Sequence, residues 1–484
     1  MPATAITLSL ISHTNVGKTT LARTLLRRDV GDAADQEHVT DVATAYSMME
    51  ASGHRLLLWD TPGFGSTPRL LSRLRLSASP IRWMLTQLWD RFRDRSLWCS
   101  QQAIKNVQSD SDIVLYLVNA SEHPSNAAYV GMEMEILTWI GKPVILLLNQ
   151  TGAPRPALEE EMEEADWRFQ LEKYGIVKAV LGLDAFARCW VQEEALMEVI
   201  FHVLPEWKRE AFDRLRLAWR TRNQDVFQRS MKSLGRQLAD SGVDRVTVSK
   251  ESLLQKMGVG RQQLNAEMEE ARGVLTERLA TRSIAATDDI IRLHGLEGHT
   301  SESIKPTGVE SFGVPEKVNE SVWGTVGAAL SGAAGGLLAD IKTGGMSFGG
   351  GTVAGFFIGG VGTWLLARGY NLTRGEDNAV RWTTEHFAAQ AELLLITYLA
   401  VAHFGRGRGE WKDGDHPPHW APAARAVIAT HRTELDALWK RAAEKDARPE
   451  ILVGTAEAIL RSASVELLSN LYPKVSAAAL APAG

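Results

Sequence analysis

The chain has 484 residues, of which 45% are hydrophobic and 23% are charged, and its formal net charge is -5. A chain of this length exceeds what one hydrophobic core supports, so two or more domains are expected. The mildly acidic balance gives no reason to expect a nucleic-acid partner. Two cysteines, Cys99 and Cys189, are too few for a disulfide framework. The N-terminus lacks the pattern of a secretion signal, and we therefore expect a cytoplasmic protein.

Residues 12–20, SHTNVGKTT, contain the second half of a phosphate-binding loop. The pattern Gly-x-x-x-x-Gly-Lys-[Ser/Thr] works because backbone N–H groups surround the phosphates, the Lys reaches the outer two, and the hydroxyl residue holds Mg²⁺. Ser12 stands at the first glycine position, where a small residue fits at a modest conformational cost. A predicted strand precedes the loop and a predicted helix follows it, as the motif requires. The predicted nucleotide-binding residues of the loop are Ser12, His13, Asn15, Val16, Gly17, Lys18, Thr19 and Thr20.

A second motif follows in RLLLWDTPGF, residues 55–64, where an apolar strand ends at Asp60. In P-loop GTPases an Asp at this place holds Mg²⁺ through water, and the N–H of the following glycine, here Gly63, senses the γ-phosphate. Residues 29–40 are polar and aperiodic, as expected of a switch loop. Thr40 is its best candidate for closing over Mg²⁺, and the alternative is an ordinary turn residue. The predicted catalytic residues are Lys18, Thr40 and Gly63, and the predicted Mg²⁺ ligands are Thr19, Thr40 and Asp60.

The remaining apolar runs complete one α/β domain. IVLYLVN at 113–119 and PVILLLNQ at 143–150 are nearly continuous, which is typical of parallel strands buried on both faces. KAVLGLD at 178–184 is the last predicted strand. Because these strands alternate with helical patterns, the fold class is an α/β P-loop NTPase with a Ras-like doubly wound sheet. The domain covers residues 1–203 and carries a long insert at 65–108.

The base-recognition segment departs from the usual pattern. GTPases read guanine with Asn-Lys-x-Asp, whereas this chain has Asn149 and Gln150 followed by Thr and Gly. Asn149 and Gln150 are predicted to contact the nucleotide. The missing carboxylate removes a bidentate contact worth roughly 1–3 kcal/mol of discrimination. From these residues alone, the choice between GTP and ATP stays open.

Taken together, the motifs resemble those of a known family. HTNVGKT, WDTPGF, LLLNQTG and LDAFARCWVQE, followed by a helical half with a Gly-rich segment, resemble a bacterial family of Era/TrmE-like GTPases whose C-terminal half is a domain of unknown function. The resemblance spans most of the chain, and Asn-Gln-Thr-Gly is itself typical of that family. The resemblance implies GTP as the nucleotide and brings no cellular role with it.

Two residues bear on hydrolysis. Phe64 stands where many GTPases place a Gln that orients the attacking water, and it has no hydrogen-bonding group. Asn15 stands where GTPases of the TrmE type place an Asn that helps bind K⁺ between the phosphates, and such an ion neutralises charge as an arginine finger does. One hypothesis is therefore K⁺-stimulated hydrolysis. The alternative is that Asn15 bonds its own backbone and caps the loop.

Within the insert, residues 79–98 have apolar side chains at helical spacing interleaved with arginines, which predicts one amphipathic helix. Two interpretations of this helix are open. Its apolar face packs on the domain while the arginines stay solvated, or it forms a basic surface for a membrane or a partner.

Residues 204–484 are predicted to form a mainly helical domain, and 322–368 within it are rich in glycine. Two uncharged stretches of this segment approach the length that spans a bilayer, and glycines recur every four residues from Gly351, which lets helix backbones touch. The segment predicts an apolar helical hairpin that either contacts a membrane or is buried in the protein. A largely apolar stretch at 387–404 predicts a buried core helix. Two amphipathic helices are predicted after it, at 421–444 and 450–471.

Two functions fit these patterns. The first is a GTPase that uses Mg²⁺ and is stimulated by K⁺, with its nucleotide state coupled to a helical domain at the inner face of the cytoplasmic membrane. The second is a nucleotide-binding switch or scaffold that hydrolyses GTP negligibly and acts through an unknown protein partner. Because G domains of this type often pair face to face, a nucleotide-dependent homodimer is also expected.

Overall fold

The structure is a computed structural model, and the described residues form two compact units. The first unit comprises 1–224, 403–407 and 471–484, and the second comprises 225–402 and 408–470. Thr40 and the predicted hairpin lie outside the described residues. The described residues are 3–27, 43–65, 67–86, 95–151, 155–183, 189–247, 261–296, 373–374, 379–404, 417 and 419–475.

The first unit contains a twisted sheet with helices on both faces. Its strand order is β2-β3-β1-β4-β5-β6, and of the six described strands of this sheet β2 alone runs antiparallel to its neighbour. The strands are β1 (Ala5–Ser12), β2 (Thr44–Ala51), β3 (His54–Asp60), β4 (Ile113–Asn119), β5 (Val144–Asn149) and β6 (Val177–Gly182). The helices are α1 (Lys18–Leu26), α2 (Thr67–Arg75), α3 (Pro80–Thr86), α4 (Arg95–Ser109), α5 (Ala128–Ile140), α6 (Ala157–Leu171) and α7 (Trp190–Val203). This architecture confirms the predicted α/β class.

Strand β4 shows why the apolar runs become central strands. Its alternate residues enter two different cores, Leu115 on one face and Tyr116 on the other. One core joins the sheet to α1, α7 and the start of the following helix, and the other joins it to α2 through α6. Because water is excluded from both faces of β4, its residues from Ile113 to Val118 are all apolar or aromatic, as is typical of central parallel strands.

Strand β2 has no counterpart in the sequence prediction. TAYSMMEA is half exposed and lacks an apolar run, because β2 is an edge strand that covers only one face of the sheet. A tight turn joins it to β3, and both turn residues, Ser52 and Gly53, have positive φ, as a two-residue hairpin requires. The Ser-Gly pair was the available signal for this hairpin.

Of the single helix predicted for 79–98, the structure describes two helical parts. Helix α3 ends at Thr86 and α4 begins at Arg95, with the residues between them outside the described part. Pro at the first position of α3 favours a new helix start there, because its fixed φ suits the first turn. Ile81 and Met84 are buried in the apolar core of the first unit. For the described residues, the interpretation in which the apolar face packs on the domain is therefore correct.

The second unit is mainly helical, as predicted. Helix α8 (Glu206–Val243) runs into it from the first unit, and α9 (Arg261–Leu293), α10 (Thr384–Ala402) and α13 (Pro449–Leu471) follow. Almost every residue of α10 is buried, which confirms the predicted core helix. A small antiparallel sheet has the order β7-β9-β8, with β7 (Val246–Thr247), β8 (Thr373–Arg374) and β9 (Ala379–Arg381).

The predicted helix at 421–444 is two helices, α11 (Trp420–Thr430) and α12 (Arg432–Ala442), which meet at His431. The Thr430 hydroxyl donates to the Val427 carbonyl, a local bond that competes with the regular helix pattern where α11 ends. Among the described helices, none has the length and apolar character needed to cross a membrane.

Candidate nucleotide-binding site

The phosphate loop lies between β1 and α1, at the carboxyl edge of the sheet. Gly17 has φ +92°, and a Cβ atom added there would lie 2.7 Å from Nδ2 of Asn149. Only glycine fits this position, because the backbone is left-handed and the space is already filled. Asn15 is also left-handed, with φ +62°, and its exposed side chain makes no hydrogen bond to another described residue.

Ser12 and Lys18 are bonded to each other. The Lys18 ammonium donates to Oγ of Ser12 at 3.0 Å and more weakly to the His13 carbonyl at 3.4 Å. Both side chains are buried. Burial lowers the pKa of Lys18, while the carboxylates of Asp60 and Glu133 act in the opposite direction. Ser12 therefore gives the lysine a hydrogen-bond acceptor that glycine at this position would lack.

The predicted Mg²⁺ ligands from the two motifs meet directly. Oγ1 of Thr19, in the first turn of α1, donates to Oδ2 of Asp60 at 2.7 Å. Asp60 is the last residue of β3, and the parallel pairing of β3 with β1 brings the ends of the two strands together. A hydroxyl and a carboxylate are hard oxygen ligands, the donor set that Mg²⁺ prefers, so these residues fit that ion.

The second motif packs closely on the phosphate loop. The Phe64 N–H donates to the Ser12 carbonyl at 2.9 Å. A Cβ atom added to Gly63 would lie 3.0 Å from both the Lys18 ammonium and the Thr14 Cα, so glycine permits this close approach. The Phe64 ring is fully buried in the apolar core. The side chain at the usual water-orienting position is thus a packing residue.

The base-recognition segment is anchored to the same loop. Nδ2 of Asn149 donates to the Val16 carbonyl at 2.6 Å, and Asn149 is fully buried. Gln150 follows with φ +60°, and its amide lies 3.9 Å from where a Cβ of Gly17 would be. Val16 is buried in the core, and Thr20 is half-buried in the first turn of α1. Apart from Thr40, the structure brings the predicted residues together.

Sequence reasoning missed Glu133, a carboxylate of α5 that is fully buried beside the loop. Oε1 of Glu133 lies 2.8 Å from Nδ1 of His13 and accepts the Thr67 hydroxyl at 2.8 Å, and Oε2 accepts the Tyr116 hydroxyl at 2.6 Å. A signal existed in MEMEILTWI, because Glu133 shares its helical face with the buried Leu137. An acidic residue on an apolar face indicates a buried polar contact.

The fold and the site together define a P-loop GTPase, a GTP-binding protein. The family profile for the 50S ribosome-binding GTPase matches residues 7–150. A second profile, for a domain of unknown function designated DUF3482, matches residues 168–448. This second match covers more than half of the chain, and the chain therefore belongs to the DUF3482 family.

No curated protein matches the chain. Among solved structures, Era of Aquifex aeolicus bound to GDP and aluminium fluoride is 17% identical, with a TM-score of 0.31, and the match covers 42% of this chain and 57% of that one. Era in complex with MgGDPNP and a segment of 16S ribosomal RNA is 16% identical, with the same TM-score, and the match covers 42% of this chain and 58% of that one. The chain thus spans little more than half the length of these structures.

Proposed function

We propose that the protein hydrolyses GTP to GDP and phosphate with the help of Mg²⁺. The observation that carries this proposal is the 2.7 Å contact between the Thr19 hydroxyl and the Asp60 carboxylate, beside the buried ammonium of Lys18. Thr19 and Asp60 would hold Mg²⁺, directly or through water, and the ion would neutralise the charge that develops on the β- and γ-phosphates.

The chain's own residues would do the remaining work by positioning. Lys18 would exchange its bond to Ser12 for the outer phosphates, and the N–H of Gly63 would donate to the γ-phosphate. Such donors stabilise the transition state most when they are held in place before the reaction. The bonds of Phe64 to Ser12 and of Asn149 to Val16 hold the loop backbone in this way.

We further propose that K⁺ stimulates this reaction through Asn15. The left-handed backbone and the exposed amide of Asn15 leave its oxygen available to an ion at the phosphates. Under the alternative, in which Asn15 bonds its own backbone and caps the loop, Asn15→Ala would leave the K⁺ dependence of turnover unchanged. An ion bound at this place would supply the positive charge that an arginine finger supplies elsewhere.

A second candidate function rests on Phe64. Its ring is fully buried and contains no hydrogen-bonding group, so it cannot orient the attacking water. If no other group does so, the protein binds GTP, hydrolyses it negligibly, and acts as a switch or scaffold for a protein partner. This alternative and the GTPase proposal predict the same binding and differ only in turnover.

We also propose that the nucleotide state is coupled to the helical second unit and, through 322–368, to a membrane surface. The support for this step is the glycine-rich sequence of that segment, in which the stretches 322–339 and 346–367 carry no charge. Cell fractionation tests the membrane part. An inserted hairpin would resist extraction by high salt and carbonate, whereas release by either treatment would refute insertion. Sedimentation with a non-hydrolysable GTP analogue would show whether nucleotide drives dimer formation.

Steady-state phosphate release from the full-length protein tests the main proposal. GTP and ATP are compared in KCl and in NaCl at equal ionic strength. We expect GTP turnover that rises with K⁺, is lost in Lys18→Ala, and loses its K⁺ dependence in Asn15→Ala. The matched control is Lys142→Ala, because Lys142 bonds the Ser111 carbonyl away from the loop. Binding without turnover would favour the switch or scaffold function.

A further inference from the structure

We propose that Glu133 is a positioning residue that holds the segment after the second motif against the phosphate loop. This inference rests on the proposed GTPase function. One carboxylate contacts three elements: His13 in the phosphate loop, Thr67 at the start of α2, and Tyr116 in β4. No sequence motif marks these contacts, since Thr67 is 66 residues from Glu133 and His13 is 120 residues away.

The surroundings of Glu133 are those of a structured polar centre. Burying a carboxylate costs free energy unless hydrogen bonds and opposite charge compensate for the lost water. Two hydroxyl groups donate to Glu133, and the Lys18 ammonium is close enough for electrostatic attraction. Burial, reinforced by the nearby carboxylate, raises the pKa of Tyr116 well above its ordinary value, so Tyr116 stays a hydroxyl donor.

The contacts of Glu133 act on both halves of the candidate site. Thr67 begins the helix that follows Gly63 and Phe64, and His13 follows Ser12, whose carbonyl accepts the Phe64 N–H. The carboxylate therefore adds side-chain contacts to the backbone contact between the same two segments. Loss of this centre would let α2 and the Gly63 N–H drift relative to the loop, and such small misplacements reduce catalysis strongly.

The test compares two glutamates of α5. Glu133→Gln keeps the shape and removes the charge, and its amide places a donor where a hydroxyl donor now points. The matched control is Glu135→Gln. Glu135 also joins α5 to α2, but through an exposed ion pair with Arg75. Both variants are made in the full-length protein, and circular dichroism on heating establishes that they are folded.

The first readout is hydrogen exchange without added nucleotide. In Glu133→Gln we expect amides of 67–75 to exchange at least about tenfold faster than in the wild type, while β5 is unchanged. A general loss of stability would instead raise exchange across the first unit. The second readout is GTP turnover. We expect kcat to fall by about 10- to 100-fold. KM should stay within about threefold of wild type, because the loop keeps its bonds to Asn149 and Phe64.

The outcomes separate this inference from the proposed function. Wild-type exchange at 67–75 and wild-type kcat in folded Glu133→Gln would overturn the role of Glu133. A wild-type protein that does not turn over GTP would overturn the proposed function, and hydrogen exchange would still test the position of α2. If Glu133→Gln fails to fold, Thr67→Val removes only one hydroxyl from the centre, and unchanged exchange at 67–75 in that variant would overturn the inference.

Discussion

Asn149 offers the sharpest test of the site geometry. Its amide is the donor to the buried Val16 carbonyl at 2.6 Å, across 133 residues of sequence. Asn149→Ala would leave that carbonyl without this donor, which costs about 1–3 kcal/mol. If the loop of Asn149→Ala keeps the wild-type conformation, the free energy of unfolding without nucleotide falls by this cost. If the loop relaxes, it appears as weaker binding, since 1.4 kcal/mol is tenfold in affinity. In either case, the free energy of unfolding of the GDP-bound protein falls by the same amount.

The assay is hydrogen exchange of β1 and β5 amides, which reports the free energy of opening of the first unit alone, with and without saturating GDP. Asn149→Asp should cost more than Asn149→Ala, because a carboxylate would face the Val16 carbonyl, acceptor against acceptor. The matched control is Asn126→Ala, at an exposed loop position of the same unit. Wild-type opening free energies in GDP for both Asn149 variants would refute the anchoring role.

Three further predictions concern stability. Burial lowers the pKa of His386 to about 3, so unfolding takes up a proton below pH 6.5 and the free energy of unfolding falls there. His386→Phe keeps the stacking on Trp382 and should remove about 2 kcal/mol of the fall in unfolding free energy between pH 6.5 and pH 5, measured by urea titration. Gly235→Ala should destabilise the second unit by about 1–3 kcal/mol, because the new Cβ would lie 2.7 Å from the Glu457 backbone nitrogen. An unchanged melting temperature would contradict this packing. Gly53→Ala should cost about 1–2 kcal/mol from φ +78° alone, since nothing lies within 4 Å of the added atom, and amide exchange in β2 would measure it.

The fold of the first unit was predictable where one local pattern had one structural solution. The apolar runs that became β1, β4 and β5 are buried on both faces, and no other element suits such short runs between turn signals. Strand β2 escaped the prediction because an edge strand needs only one apolar face. The segment 79–98 contains α3 and the start of α4, and because residues 87–94 lie outside the described part, one continuous helix there stays a prediction.

The candidate site was predictable only in part, and for a related reason. Phosphate-loop residues follow one another in the chain, so the motif around Lys18 and the motif around Asp60 are readable from the letters. The partners of Glu133 are far apart in sequence, and an isolated glutamate in a helix is ordinary. The anchoring of Val16 by Asn149 likewise depends on β5 lying beside the loop.

The sequence by itself determined that a strand, a phosphate-binding loop and a helix follow one another, and that an aspartate ends a second apolar strand. Backbone N–H groups and one lysine suffice for that chemistry, and their order along the chain is the motif. Only the tertiary structure decided that Phe64 is a core residue, that Ser12 bonds Lys18, and that Glu133 joins the two halves of the site. Burial and hydrogen-bond geometry arise when distant segments pack, and packing is a property of the folded chain.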